Sequence, residues 1–345
     1  MRSLLSAIAL SFVVLPLSAC PPPPEGDGGP DGGDGPALVL EELEGALLSV
    51  NGTASDDVWV VGADARDGSG PYVLHYDGAK FVRYHTGDEG DLWWVNIAPD
   101  GDVWMVGDEG RIFRFDPASE TFTAMQAPDA SRLYGVFAFA DDDVWAVGGE
   151  ENDGTSVVWH YDGSTWAAPA DLPAGLTDGL VLFKVWGTAP GDLWIVGQGG
   201  AALRYQGGAW SRVESIPRPL FTVHGNDTLT VAVGGVIDGL VMENSGNASL
   251  EDKTPELAPQ LNGVYVNADG SAVASGYEGA IWQRSADGAW SEVASVPTTL
   301  NSYHAVYQDP DGGIWAVGGY LEFEPLQQGM LAHLGGAITS EIVER

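Results

Sequence analysis

From residue 47 onward the chain alternates short apolar runs with tight clusters of Asp, Gly, Asn and Ser. The runs are of strand length, and the separators tolerate the backbone angles of hairpin turns. One phrase keeps returning. It reads Asp57-Val-Trp-Val-Val-Gly62, Asp102-Val-Trp-Met-Val-Gly107, Asp143-Val-Trp-Ala-Val-Gly148, Asp192-Leu-Trp-Ile-Val-Gly197 and Gly313-Ile-Trp-Ala-Val-Gly318. Two worn copies, Thr230-Val-Ala-Val and Ala272-Val-Ala-Ser, end at Gly234 and Gly276. The closing glycines are 45, 41, 49, 37, 42 and 42 residues apart.

Each unit reads as four strands, most clearly the third. Leu133 to Phe139 is the inner strand, Val144 to Gly148 the second and Val157 to Tyr161 the third; Thr165-Trp166 begins the outer one. Asp141-Asp142 and Asp162-Gly163 make the turns. The second strand is apolar on both faces, as expected of a sheet sandwiched between two others. A period near 40 to 50 with four short strands per unit predicts an all-β fold, a single β-propeller of seven four-stranded blades. The aromatic residues follow the repeat. Trp59, Trp104, Trp145, Trp194 and Trp315 share one position, where the worn units have Val231 and Val273. A ring recurring there is expected to fill the wedge between blades.

Ring closure has two candidates. Leu38 to Leu43 at one end and Ala337 to Val343 at the other both read as a missing outer strand. Gly335-Gly-Ala-Ile matches Gly207-Gly-Ala-Trp in unit four, so the C-terminal segment is expected to close the ring. Leu38 to Leu43 would then pack alongside, and its removal would be tolerated.

The pairs Gly148-Gly149, Gly234-Gly235 and Gly318-Gly319, with Tyr161 and Trp166, resemble kelch-type propeller repeats, as does Phe115-Asp-Pro-Ala-Ser-Glu-Thr-Phe122. The Asp-Val-Trp-Ala-Val-Gly phrase is similar to repeats in bacterial lipoproteins. Units two and four lack the glycine pair. Likeness of this kind implies a fold and no particular activity.

The first residues read differently. Arg2 precedes an apolar run from Leu4 to Leu15, which ends in small residues before Cys20. That is the layout of a secretory signal, and the run is too short for a permanent membrane helix. Leu17-Ser18-Ala19-Cys20 resembles the lipobox of bacterial lipoproteins, which implies cleavage before Cys20 and its lipidation. Proline at position 21, not aspartate, implies sorting to the outer membrane. Pro21 to Pro36 is rich in Pro, Gly and Asp and is expected to stay disordered. The expected layout is a signal peptide over 1–19, a lipidated cysteine and linker over 20–36, and the propeller over 37–345.

Charge narrows the partners. Forty-nine acidic residues against 14 basic ones give a formal charge of -35, which argues against nucleic acid and anionic lipid as partners. Forty-eight glycines fit many tight turns. Cys20 is the single cysteine, so no internal disulfide forms.

In a repeat protein, functional residues should break the repeat. His75, His160 and His333 share one position on the third strand, where units two and four have Arg114 and Arg204; they read as surface strand residues. One inner-strand position varies and carries side chains that stack or hydrogen-bond: Asn51, Asn96, Phe137, Trp186, His224, Tyr265 and Tyr307. These seven are the candidate ligand-binding residues, with packing between blades as the alternative. No catalytic residue, metal site or cofactor is assigned. There is no paired-histidine metal motif, phosphate loop or nucleophile elbow, and most acids sit in turns. The expectation is a monomeric, non-catalytic binding or scaffolding module for a protein or glycan partner, held to the membrane only by its lipid. A polysaccharide-acting enzyme with carboxylates at the channel mouth is one alternative, and an envelope assembly factor another.

Overall fold

The computed structural model describes residues 37–150, 154–247 and 249–345. The signal peptide, Cys20 and the linker lie outside them.

Seven sheets form, one per repeat, each built on four antiparallel strands. Their inner strands are Leu47–Ala54, Leu92–Ile97, Leu133–Ala140, Leu182–Ala189, Leu220–Gly225, Leu261–Val266 and Ser302–Gln308. Each inner strand touches those of the blades beside it, and the seventh touches the first, so the sheets close into a ring. The expected strands of unit three appear as Leu133–Ala140, Asp143–Glu150, Thr155–Tyr161 and Trp166–Ala167.

The recurring tryptophan sits between blades. Trp59 meets Phe115 of the next blade at a centroid distance of 5.1 Å, Trp104 meets Tyr161 at 5.7 Å, and Trp315 meets Tyr76 at 5.3 Å. All five repeat tryptophans are buried. Each also packs against a histidine or arginine on the neighbouring strand of its own sheet. Trp59, Trp145 and Trp315 lie 4.3, 4.4 and 4.5 Å from the rings of His75, His160 and His333. Arg114 and Arg204 lie over Trp104 and Trp194. In four of these blades the aspartate of the repeated phrase completes the arrangement. Asp57 meets His75 and Asp143 meets His160 at 2.8 Å, Asp192 takes a bidentate pair from Arg204, and Asp102 binds Arg114.

In the two worn blades the tryptophan and its histidine or arginine partner vanish together: Val231 pairs with Glu243, and Val273 with Gln283. Glu243 instead crosses to blade six, where Arg284 and the Trp290 indole N–H bind it. His75 and His160 are therefore partners in a Trp–His–Asp triad, and His333 packs on Trp315 without the aspartate. His333 is buried at 8 % exposure, so its reading as a surface residue is corrected.

This triad has a pH signature. The hydrogen bond from His75 holds the Asp57 carboxyl below its ordinary value of 3.8. A carboxylate shifted this way adds stability above the unfolded value and loses it as pH falls through the lowered one. Asp57→Asn is therefore expected to lower the urea midpoint at pH 6 and to lower it less near pH 3, below the ordinary value of 3.8. A gap of equal size at both pH values would contradict this.

Closure differs from the sequence expectation. Ala37–Leu43 forms the outer strand of blade seven, antiparallel to Gln327–Leu334, with Leu38 opposite Ala332 and Leu40 opposite Leu331. The C-terminal Ile342–Glu344 runs parallel to Phe81–Arg83 as a fifth strand on blade one. The reason is apolar content. The N-terminal segment brings Leu38, Val39, Leu40 and Leu43, and Leu40 is buried in the core. The segment after Gly336 offers only Ala337 and Ile338 before Ile342, and it crosses to the neighbouring blade.

Candidate functional site at the channel mouth

Every inner strand starts the same way. A large buried residue opposes the closing glycine of the phrase: Leu47 faces Gly62, Leu92 Gly107, Leu133 Gly148, Leu182 Gly197, Leu220 Gly234, Leu261 Gly276 and Tyr303 Gly318. A Cβ on any of these glycines would fall 2.0–2.3 Å from the carbonyl oxygen just before that large residue. Glycine is required there by close approach of two strands.

One residue further along, each ladder slips by one, leaving an extra residue in a β-bulge. The seven extra residues are Leu48, Trp93, Tyr134, Phe183, Phe221, Asn262 and His304. A bulge breaks strict alternation and re-aims the side chain. All except Leu48 line one cavity of about 550 Å³; Leu48 is buried beside Leu326 and Trp93.

Four of these residues form a continuous aromatic arc. Trp93 and Tyr134 are 5.1 Å apart, Tyr134 and Phe183 5.6 Å, and Phe183 and Phe221 5.7 Å. His304 continues the arc, 6.0 Å from Trp93. Its Nδ1 donates to the Leu48 carbonyl, which leaves Nε2 as the acceptor. Burial holds His304 down to about 3, with help from the nearby Lys184 charge, so the ring is neutral.

The position after the bulge is small or apolar in most blades, but in blade four it is Lys184. Its Nζ donates to the Tyr134 carbonyl at 2.7 Å and lies 4.2 Å from the Trp94 ring centroid. Among the described residues no carboxylate reaches it. Burial outweighs both contacts and pushes the amine down to about 7.

The rim is ionic. Arg132 lies over Trp93 and Tyr134 and binds Asp108 at 2.7 Å and Glu324 at 3.2 Å. Glu150 accepts the Arg132 backbone N–H. Both carboxylates at the mouth, Glu150 and Glu324, are therefore engaged by one arginine. No group of three potential metal ligands occurs among the described residues, and no helix there is long and apolar enough to cross a membrane.

The seven candidates from the sequence lie three residues further along the same strands. Each opposes the repeat tryptophan or its valine replacement, and none lines this cavity. Trp186, His224, Tyr265 and Tyr307 are brought together as a belt, with neighbouring centroids 5.5, 4.5 and 5.1 Å apart. Asn96 accepts the Ala138 N–H and His224 accepts the Val266 N–H, each from the next blade. Burial pushes His224 down to about 4, consistent with that acceptor role. Phe137 packs on Phe139, and Asn51 is half-buried opposite Trp59. The belt joins blades; the bulge ring lines the channel. The signal for the ring was the varied residue after each strand-opening leucine or tyrosine.

Fold and site together define a seven-bladed β-propeller with an aromatic-crowned axial cavity of ligand size. Among solved structures it is similar to virginiamycin B lyase from Staphylococcus aureus, at 16 % identity over 85 % of this chain and 97 % of the lyase, TM-score 0.66. It is also similar to YCF48 from Cyanidioschyzon merolae, at 14 % identity over 87 % and 98 %, TM-score 0.63. A third likeness is to the extracellular domain of a hybrid two-component system from B. thetaiotaomicron, at 11 % identity over 84 % of this chain and 40 % of that one, TM-score 0.58. At these identities the likeness shows the fold alone. No known family and no curated protein matches the sequence.

Proposed function

We propose that the protein is an exported, non-catalytic binding propeller, lipid-anchored at Cys20 in the outer membrane, that takes the end of a glycan into its channel mouth. One observation carries this reading: six bulge side chains from six blades converge on a single cavity, and four of them are aromatic. Its volume, about 550 Å³, is that of a small-ligand site, and its ring faces suit the apolar faces of a sugar. The kelch-like repeats and lipobox-like Leu17-Ser18-Ala19-Cys20 supply the scaffold and the address.

The test is a glycan array followed by titration, read by tryptophan fluorescence. Trp93→Ala with Phe183→Ala is expected to weaken binding by roughly tenfold or more. Both rings flank the cavity, so the fold should survive with little loss of melting temperature. Unchanged affinity in a folded double variant would remove the channel mouth as the site.

A further inference from the structure

Glycan binding alone does not explain Lys184. A buried ammonium without a counter-charge is unfavourable, and another side chain could fill the same volume. Three observations limit what completes it. The Trp93, Tyr134, Phe183 and Phe221 rings require flat apolar faces. His304, with Nε2 unprotonated, accepts a hydroxyl and would repel a second anionic oxygen. Arg132 is held at the rim by Asp108 and Glu324. That leaves one amine for one negative charge; a phosphate dianion would meet too few donors.

We infer that the mouth selects a hydroxylated ring bearing a carboxylate, with the carboxylate on Lys184 Nζ and a ring hydroxyl on His304 Nε2. Sugar acids are that chemistry. The inference rests on the proposed binding at the channel mouth and names what enters it. The acidic exterior, at -35 overall, would repel a long polyanion, which favours a single acidic end group.

Proton linkage makes this testable. A carboxylate beside the amine raises its pKa, so binding takes up a proton. With the free amine near 7, uptake is expected to approach about half a proton per ligand at pH 7 and a full one near pH 8.5. The other charged and titratable groups facing the space are His304, Arg132, Tyr134, Glu150 and Glu324. His304, held near 3, stays neutral across this range, and Arg132, pushed further up by its acidic partners, stays charged.

The experiment is calorimetry on the full mature protein in buffers of different ionisation enthalpy. The probes are glucuronate, glucose, and a trisaccharide ending in glucuronate. The acidic probes are expected to bind about tenfold to a hundredfold tighter than glucose, with proton uptake rising from pH 7 to 8.5. Free and chain-terminal acids distinguish a small metabolite from a glycan end. Lys184→Met should abolish the proton uptake and bring the affinities for glucuronate and glucose together. Equal binding of glucuronate and glucose without proton uptake would overturn the carboxylate assignment and leave the channel mouth standing. Silence from every probe would overturn both.

Discussion

Replacing Lys184 with methionine is expected to make the protein more stable at neutral pH, not less. Burial lowers the amine from 10.5 to about 7, which corresponds to about 5 kcal/mol of destabilisation at pH 7. Below about 10.5 the unfolded chain holds the proton, while the folded chain holds it only below about 7. Between those values the unfolded state binds more protons, so stability falls as pH falls, and the full penalty is in place by pH 7. Methionine has similar length and no charge. It leaves the Tyr134 carbonyl without its donor, at a cost of about 1–3 kcal/mol. The net gain is about 2–4 kcal/mol, or several degrees in melting temperature. Denaturant unfolding at pH 7 and pH 10 checks it: the advantage should be clear at pH 7 and shrink at pH 10. A less stable variant at pH 7 would mean that Lys184 is part of the packing. A residue that weakens the fold where it stands, in a cavity, is the pattern of a functional site.

Deleting Ala37–Leu43 is expected to cost most of the folding free energy. The deletion removes buried Leu40 and half-buried Leu38, Val39 and Leu43 from the outer layer of blade seven; full burial of such a side chain contributes about 1.5–3 kcal/mol and partial burial less. It also opens the edge of Gln327–Leu334, uncovering Met330, Leu331 and Ala332, all buried at present. The sum, about 5 kcal/mol or more, is comparable with the whole stability of a typical domain. Deleting Ile342 to Arg345 should matter less, since that short strand is partly exposed. Thermal melts followed by circular dichroism would separate the two deletions. A chain without residues 37–43 that melted within a few degrees of the parent would restore the sequence-based closure.

The sequence misled on closure for a physical reason. Gly335-Gly-Ala-Ile copies the turn of unit four, where the hairpin continues into Ala209–Arg212. The copy lacks the apolar residues that would hold an outer strand, and likeness at a turn does not fix the pairing of the strand beyond it. The fold itself was legible because one phrase marks every blade, in five copies with its tryptophan and two worn ones. The histidine or arginine partner of each tryptophan was legible as a repeat position, though its packing geometry was not. The residues that line the cavity stand three positions before those the sequence singled out. Period-two alternation places Asn51, Trp186 and Tyr307 on one strand face, but the bulges at Leu48, Phe183 and His304 reset that alternation near the strand start. A one-residue slip shows only in pairing register, which a single strand does not carry.

The pairing of Leu38 with Ala332 also shapes how the chain is made. The two residues stand 294 positions apart. The apolar segment around Leu40 emerges first during synthesis and finds its partner strand only when the last blade exists. Until then it is an open strand without a sheet, the kind of segment that pairs with strangers. Contacts of such long range slow folding, because the loop between them must close first. The ring therefore cannot be completed from its beginning, and six finished blades would still leave the first strand waiting.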